Sequence, residues 1–310
     1  STNPSYRSQN KVFLGSFSTH GIIATPTAPE PTTFLDYKEK LDKAAKWAVE
    51  TLTLPRQEDV CIGGDIAAAI LRRQGKAVSD GSYKNRHSTS SFIVHGADGK
   101  KAIKGKNVVP GRPEEQCAYR AELGGVAGIL TLAEMICCKF AITEGKLEIG
   151  LDGESVIKKL RSPFHPKPSD SDYDLLMDCR GGMKALPIDI TYRWVEGHQD
   201  DKGHAQSLDW WAIQNIRMDH AAKSHWGKTK NKPRPNHVFQ YEKWAVAIMG
   251  QKLSSFRKEE VHERTHEEAI KQYWTAKHNI TDAQWQDINW KAAKMAQKEQ
   301  PLGKNRWAWK

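Results

Sequence analysis

The stretch from Ala118 to Ile142, AYRAELGGVAGILTLAEMICCKFAI, restricts the fold more than any other. It is unusually apolar and rich in Gly and Ala, so as a helix it has to lie buried against a broad surface. The residues before it supply that surface. KAVSD (76–80), TSSFIVHG (89–96) and KKAIKGK (100–106) read as three strands joined by short turns, an antiparallel meander. The residues after it alternate between the two element types. LEIGLD (147–152) is a strand, GESVIKKLR a helix, SPFHPKPS a Pro-rich loop, DSDYDLLMDCRGGMKAL a helix, IDITYRWVEG a strand and LDWWAIQNIRMDHAAKSHW a helix. Three strands followed by αβαβα give a mixed α/β domain over residues 75–227. Its sheet has five strands, three antiparallel and then two parallel through crossover helices.

The rest of the chain is organised around that domain. Residues 1–33 are rich in Ser, Thr, Asn and Pro and read as a disordered or extended arm. Residues 34–74 form a helical N-terminal segment, with apolar positions at helical spacing in Leu35, Leu41, Ala45, Ala48 and Leu52. Residues 228–237 are a basic linker, and residues 238–310 a basic, Trp-rich and mainly helical extension. Of a net charge of +10, the stretch from Lys228 onward holds 17 Lys and Arg against 9 Asp and Glu. It also holds six of the eleven Trp. Basic charge interleaved with aromatics suits nucleic acid, where phosphates attract Lys and Arg and bases stack on rings. A solvated helical tail with Trp anchors accounts for the same composition.

Several classes are excluded. No apolar run approaches the ~20 residues of a membrane span, and the first ten residues lack the pattern of a signal peptide. Cys61, Cys117, Cys137, Cys138 and Cys179 form an odd set without a CxxC pair, so they read as free thiols. The expected setting is intracellular, cytoplasmic or nuclear, without a membrane partner.

Four carboxylates stand at informative places. Asp80 ends the first strand of the meander, directly before Gly81 and Ser82. Asp152 ends the fourth strand, Glu122 lies early in the apolar helix, and Asp219 lies on the last helix four residues after Asn215. Carboxyl ends of strands in an α/β sheet face a common crevice. Converging carboxylates are costly to bury unless a cation neutralises them, and hard oxygen donors select Mg²⁺ or Mn²⁺. Two such ions activate water and stabilise a leaving oxygen in phosphodiester hydrolysis.

DGS, YRAEL, LDGESVIKKL, WVEGHQDD and NIRMDHAAK, in that order, make residues 76–226 resemble ribonuclease H. The likeness is to the RNase H domains that end the reverse-transcriptase polyproteins of retroelements. The resemblance implies an RNase H-like fold and hydrolysis of the RNA strand of RNA/DNA hybrids. It implies two Mg²⁺ ions, with Mn²⁺ able to substitute, and the reverse-transcriptase part of a polyprotein as partner. It makes Asp80, Glu122, Asp152 and Asp219 the metal ligands and His198, on the loop after the fifth strand, the general acid/base. Gly81 and Ser82 would lie against substrate. Ala118 stands where a base-contacting Asn is common, so Gln116 or Tyr119 would take that contact. Glu154 takes the place of a polar amide that touches the minor groove, and the loop after His198 carries an insertion that includes His204. No Lys/Trp-rich protrusion is visible between 162 and 187, so Lys228, Lys230, Lys232 and Arg234 are expected to hold phosphates flanking the cut.

Rival readings are weaker. His262-Glu263-Arg264-Thr265-His266 spells HExxH, the zincin motif, but on a helix charged on most faces, and Ala269 and Gln272 occupy the positions of the extended form. No GxSxG, P-loop or GxGxxG pattern occurs. A non-catalytic nucleic-acid-binding module, or a nuclease acting on other duplexes or junctions, shares the same fold. The complete acidic set argues against the first, and the second shares the same metal chemistry.

Overall fold

The computed structural model describes residues 15–16, 34–54, 59–96, 101–202, 208–248 and 250–288. In chain order its elements are β1 (Gly15–Ser16), α1 (Phe34–Lys40), α2 (Lys43–Lys46), β2 (Thr51–Thr53), α3 (Asp59–Leu71), β3 (Gly75–Lys84), β4 (His87–His95), β5 (Ala102–Val108), α4 (Ala118–Lys139), β6 (Lys146–Leu151), α5 (Glu154–Arg161), α6 (Tyr173–Ala185), β7 (Asp189–Trp194) and α7 (Trp210–Thr229). They are followed by β8 (Trp244–Ala245), β9 (Ala247–Ile248), β10 (Gln251–Lys252), α8 (Lys258–His278) and α9 (Asp282–Asp287). The chain divides into two compact units between Arg257 and Lys258.

The first unit is built on a mixed sheet of order β2-β5-β4-β3-β6-β7. β3, β4 and β5 form the antiparallel meander, and β6 and β7 follow in parallel, which is the arrangement of the RNase H-like fold. The β3–β4 connection is tighter than the sequence suggests. Both strands run on to a two-residue turn, Asn85–Arg86, whose φ values of 50° and 59° match the right-handed strand twist. Alternate β3 residues face opposite sides. Ala77 joins the main core with α3, α4, α5 and α6, and Val78 joins a smaller one with Ile93, Val195, Trp211 and Met218 beneath α7. The phenyl ring of Phe92 is clasped between Gly105 and Gly128, where any Cβ would fall 2.0 and 2.2 Å from it. Helix α4 is long and apolar enough to cross a membrane by length and composition, and it is the buried core helix of this unit.

Two segments expected outside the catalytic domain belong to its core. β2 pairs antiparallel with β5 as a sixth strand, and Leu41, Trp47, Ala48 and Val49 are buried in the main core. Residues 238–257, expected to be helical, form the short strands β8–β10 and pack with the domain. Phe239 is buried against Trp47 at 5.4 Å between ring centroids, and Trp244 stacks on Phe256 at 4.5 Å. The domain therefore continues past the expected boundary at residue 227, because the main core is closed by these apolar side chains. The expected arm at 1–33 lies outside the described residues except for Gly15–Ser16, which pair with β8. Trp290, Trp307 and Trp309 lie outside them too.

The second unit consists of α8 and α9 among the described residues. Thr281 caps α9 through a reciprocal pairing with Gln284, and Trp274 stacks on His278.

Candidate active site

The site forms where β3 and β6 run side by side. Val78 is in register with Gly150, so Asp80 within β3 and Asp152 just past the end of β6 are brought side by side. Asp80 does not end its strand as the sequence suggests, because β3 continues to Lys84 in its pairing with β4. Glu122 arrives from the early turns of α4, held by the backbone N–H of Gly81, which donates to its Oε1 at 2.9 Å. That approach requires glycine: a Cβ at residue 81 would sit 2.6 Å from the Glu122 nitrogen and the Ala121 carbonyl carbon. One carboxylate oxygen from each of Asp80, Glu122 and Asp152 lies within 4.8 Å of the others. From α7, the amide of Asn215 donates to Asp80 at 3.5 Å.

The electrostatics are those of a buried acidic cluster. Burial, then the charges of Glu122, Asp152 and Asp219, push Asp80 up to about 11. Burial and the Asp152 charge raise Glu122 to about 8. Asp152 is also raised by burial, with the charge of His198 opposing the shift. Oε2 of Glu122 is buried without a hydrogen-bond partner. No Lys or Arg pairs with these three carboxylates among the described residues. Three hard oxygen donors, one of them orphaned, fit a divalent cation such as Mg²⁺.

Asp219 stands outside the group. It is half-buried on α7 and accepts from Lys223 Nζ at 2.7 Å, while its charge is still felt at Asp80, Glu122 and Asp152. His198 lies exposed on the loop after β7, in the left-handed region at φ 52°. Trp194 forms a wall here, its indole N–H donating to the Asp152 carbonyl at 3.1 Å. His204 lies outside the described residues.

The expected substrate contacts are placed unevenly. Gly81 and Ser82 adjoin Asp80 and are half-buried. Gln116 is buried, its amide donating to the Pro110 and Arg112 carbonyls at 3.3 Å, so it braces its own loop instead of reaching a base. Tyr119 is partly buried against the main core. Glu154 is exposed and pairs with Lys158 one turn along α5. Lys228, Lys230 and Lys232 are exposed, with Lys230 lying over the Trp226 ring. Arg234 is half-buried and donates through Nη1 to the Arg86 carbonyl at 2.8 Å, which pins the β3–β4 turn.

One functional neighbourhood has no local signal in the sequence. Arg120, two residues before Glu122, is fully buried and grips Asp174 with two nitrogens, at 2.8 and 3.0 Å, and Asp172 at 3.0 Å. Lys252 completes the network, 2.7 Å from Asp174 and 2.9 Å from Glu242. The motif YRAEL thus carries a site residue and the anchor that fixes its helix. The HExxH histidines lie side by side on α8, ring centroids 4.4 Å apart, and belong to no three-ligand group among the described residues. Cys137 and Cys179 are buried, and burial raises both thiols.

No protein-family model and no curated protein matches the chain. Solved structures do. An RNase H1 isolated from compost is 11% identical, with a TM-score of 0.36 over 51% of this chain and 99% of that one. The N-terminal RNase H domain of a Mycobacterium tuberculosis protein is 18% identical (TM-score 0.29; 48% and 98% covered). RNase H1 of the halophilic archaeon Halobacterium salinarum is 15% identical (TM-score 0.32; 50% and 98% covered).

Proposed function

We propose that the chain is an RNase H-type endonuclease that hydrolyses the RNA strand of RNA/DNA hybrids. The supporting observation is the Asp80–Glu122–Asp152 cluster between β3, the end of β6 and α4, raised by burial and mutual repulsion and paired with no Lys or Arg among the described residues. In this reading the three carboxylates, joined by Asp219 once it leaves Lys223, would hold two Mg²⁺ ions, or Mn²⁺ in their place. Bound there, the metal would supply an activated water and charge neutralisation at the phosphate.

The remaining roles fall to the protein. Asn215 and the Gly81 N–H orient two of the carboxylates, so their geometry is set before substrate arrives. His198, exposed beside Asp152, would deliver a proton to the leaving oxygen, giving 5′-phosphate and 3′-hydroxyl ends. Contacts to 2′-hydroxyls across the wide minor groove of A-form geometry would select RNA. The likeness of the five motifs to polyprotein domains supports a retroelement origin, an intracellular setting, and the reverse-transcriptase portion as partner.

The test is a cleavage assay on one sequence presented as hybrid, double-stranded RNA and DNA, each with Mg²⁺, Ca²⁺ or EDTA. Cleavage of the RNA strand of the hybrid, in Mg²⁺ alone, is expected. Equal cleavage of double-stranded RNA would move the assignment to another duplex nuclease.

A further inference from the structure

Helix α7 divides one face of the sheet. It packs on β3, β4 and β5, with Ser91 Oγ donating to the Met218 carbonyl at 2.6 Å and Thr89 Oγ1 to that of Ala222 at 2.9 Å. On β5, Lys106 is directly opposite Ser91 and Lys104 opposite Ile93. Directly opposite residues share a face, so both lysines project on the α7 side of the sheet. β2 continues that face with Thr51 opposite Lys106 and Thr53 opposite Lys104, both exposed. The last turn of α7 brings His225 and Lys228 to the same place, and Lys232 follows.

This collection is positive and without a partner. Among the described residues no carboxylate pairs with Lys104, Lys106, Lys228 or Lys232. Burial, then the charges of Lys228 and Lys104, depress the Lys106 ammonium, and burial, then the charges of Lys106, Lys232 and Lys228, take His225 down to about 4. His225 is 9% exposed, and its Nε2 is buried with no hydrogen-bond partner. Ammonium groups without a carboxylate partner, gathered on one face beside a buried imidazole nitrogen that lacks a hydrogen bond, have the donor chemistry of a phosphate site. The row Asp80–Ser91–Lys106 crosses two strand spacings, about 10 Å, so the patch and the carboxylates lie within reach of one duplex.

We propose that Lys104, Lys106, His225, Lys228 and Lys232 form a second contact for the nucleic-acid backbone, across α7 from the carboxylates. It takes one or two phosphates of the bound duplex and so supplies the grip that a protrusion between 162 and 187 would otherwise give. This deepens the nuclease reading and rests on it for the identity of the duplex, while its phosphate chemistry stands separately.

The full chain and its Lys104→Gln/Lys106→Gln variant are compared for binding of a hybrid in EDTA across a salt series. Two lost phosphate contacts should flatten the slope of log affinity against log salt by about 1.8. Affinity at low salt should fall about tenfold, and Lys104→Arg/Lys106→Arg should keep both slope and affinity. Inorganic phosphate should shift the His225 ring-proton resonance in the wild type, which reads the site even if a variant fails to fold. An unchanged slope and affinity in the folded Gln variant would overturn the inference, leaving the patch to an acidic protein partner. A phosphate shift with unchanged slopes would also overturn it, leaving a site for small anions. A wild-type chain whose salt slope depends on these lysines but which cuts no hybrid keeps the inference and removes the nuclease reading.

Discussion

Asp80, Glu122 and Asp152 each oppose the fold whenever they are ionised together without a cation. Their folded-state values lie above the ordinary carboxylate range. A raised carboxyl favours the fold fully only below its unfolded value, near pH 4, and loses that contribution as pH rises through the folded values. In EDTA the melting temperature should therefore fall between about pH 5 and about pH 9, across the range in which Glu122 ionises, and Mg²⁺ should restore it. Asp80→Asn should melt higher than wild type in EDTA at the upper end of that range. A melting curve that is flat or rises with pH in EDTA would show that the cluster carries no such repulsion. Gly81 is tested by Gly81→Ala, whose methyl would meet the Glu122 backbone at 2.6 Å. The expected result is a loss of about 1–3 kcal/mol in denaturant unfolding, with impaired cleavage as Glu122 is pushed away.

At the scale of elements, the apolar character of α4 and the strand–helix alternation after it made the mixed sheet legible. Asp152 was legible because it ends a strand run, and Glu122 because it interrupts an apolar helix; Asp80 was legible from its DGS motif, although β3 runs on past it to Lys84. β2 was not: Thr51–Thr53 is three residues long, and only its pairing with β5 makes it a strand. The strands of residues 244–252 were missed for the same reason, and because Trp and Ala in that stretch fit a helix equally well. The role of Arg120 was not legible, since its partners Asp172 and Asp174, and the Lys252 that shares Asp174 with it, are far along the chain. Lys252→Met tests this network. It removes a buried cation from Asp174 and Glu242 and should cost about 3–5 kcal/mol by chemical denaturation. A loss below 1 kcal/mol would mean that residues 238–257 are not integral to the first unit.

For the whole molecule, the charge asymmetry was legible but its division was not. Lys228 to Arg257 belong to the first unit, and the second begins at Lys258. Truncation after Lys228 should therefore unfold the chain, by removing Phe239 and Lys252 from the core, whereas truncation after Arg257 should leave a cooperative melting transition. Circular dichroism distinguishes the two. His262→Ala should change neither metal content nor cleavage, since its exposed pair with His266 has no third ligand among the described residues. Stoichiometric zinc lost on that substitution would reinstate the HExxH motif as a site.

The central claim is that the carboxylates of Asp80, Glu122 and Asp152 carry phosphodiester hydrolysis. Its most direct measurement is turnover of the RNA strand of a hybrid in Mg²⁺ by wild type and by Asp80→Asn, with hybrid affinity measured alongside. The account predicts metal-dependent cleavage by wild type. It predicts a loss of several orders of magnitude in the variant at nearly unchanged affinity, since the substitution removes charge and metal affinity but little shape. Near-wild-type turnover by Asp80→Asn in Mg²⁺ would contradict it.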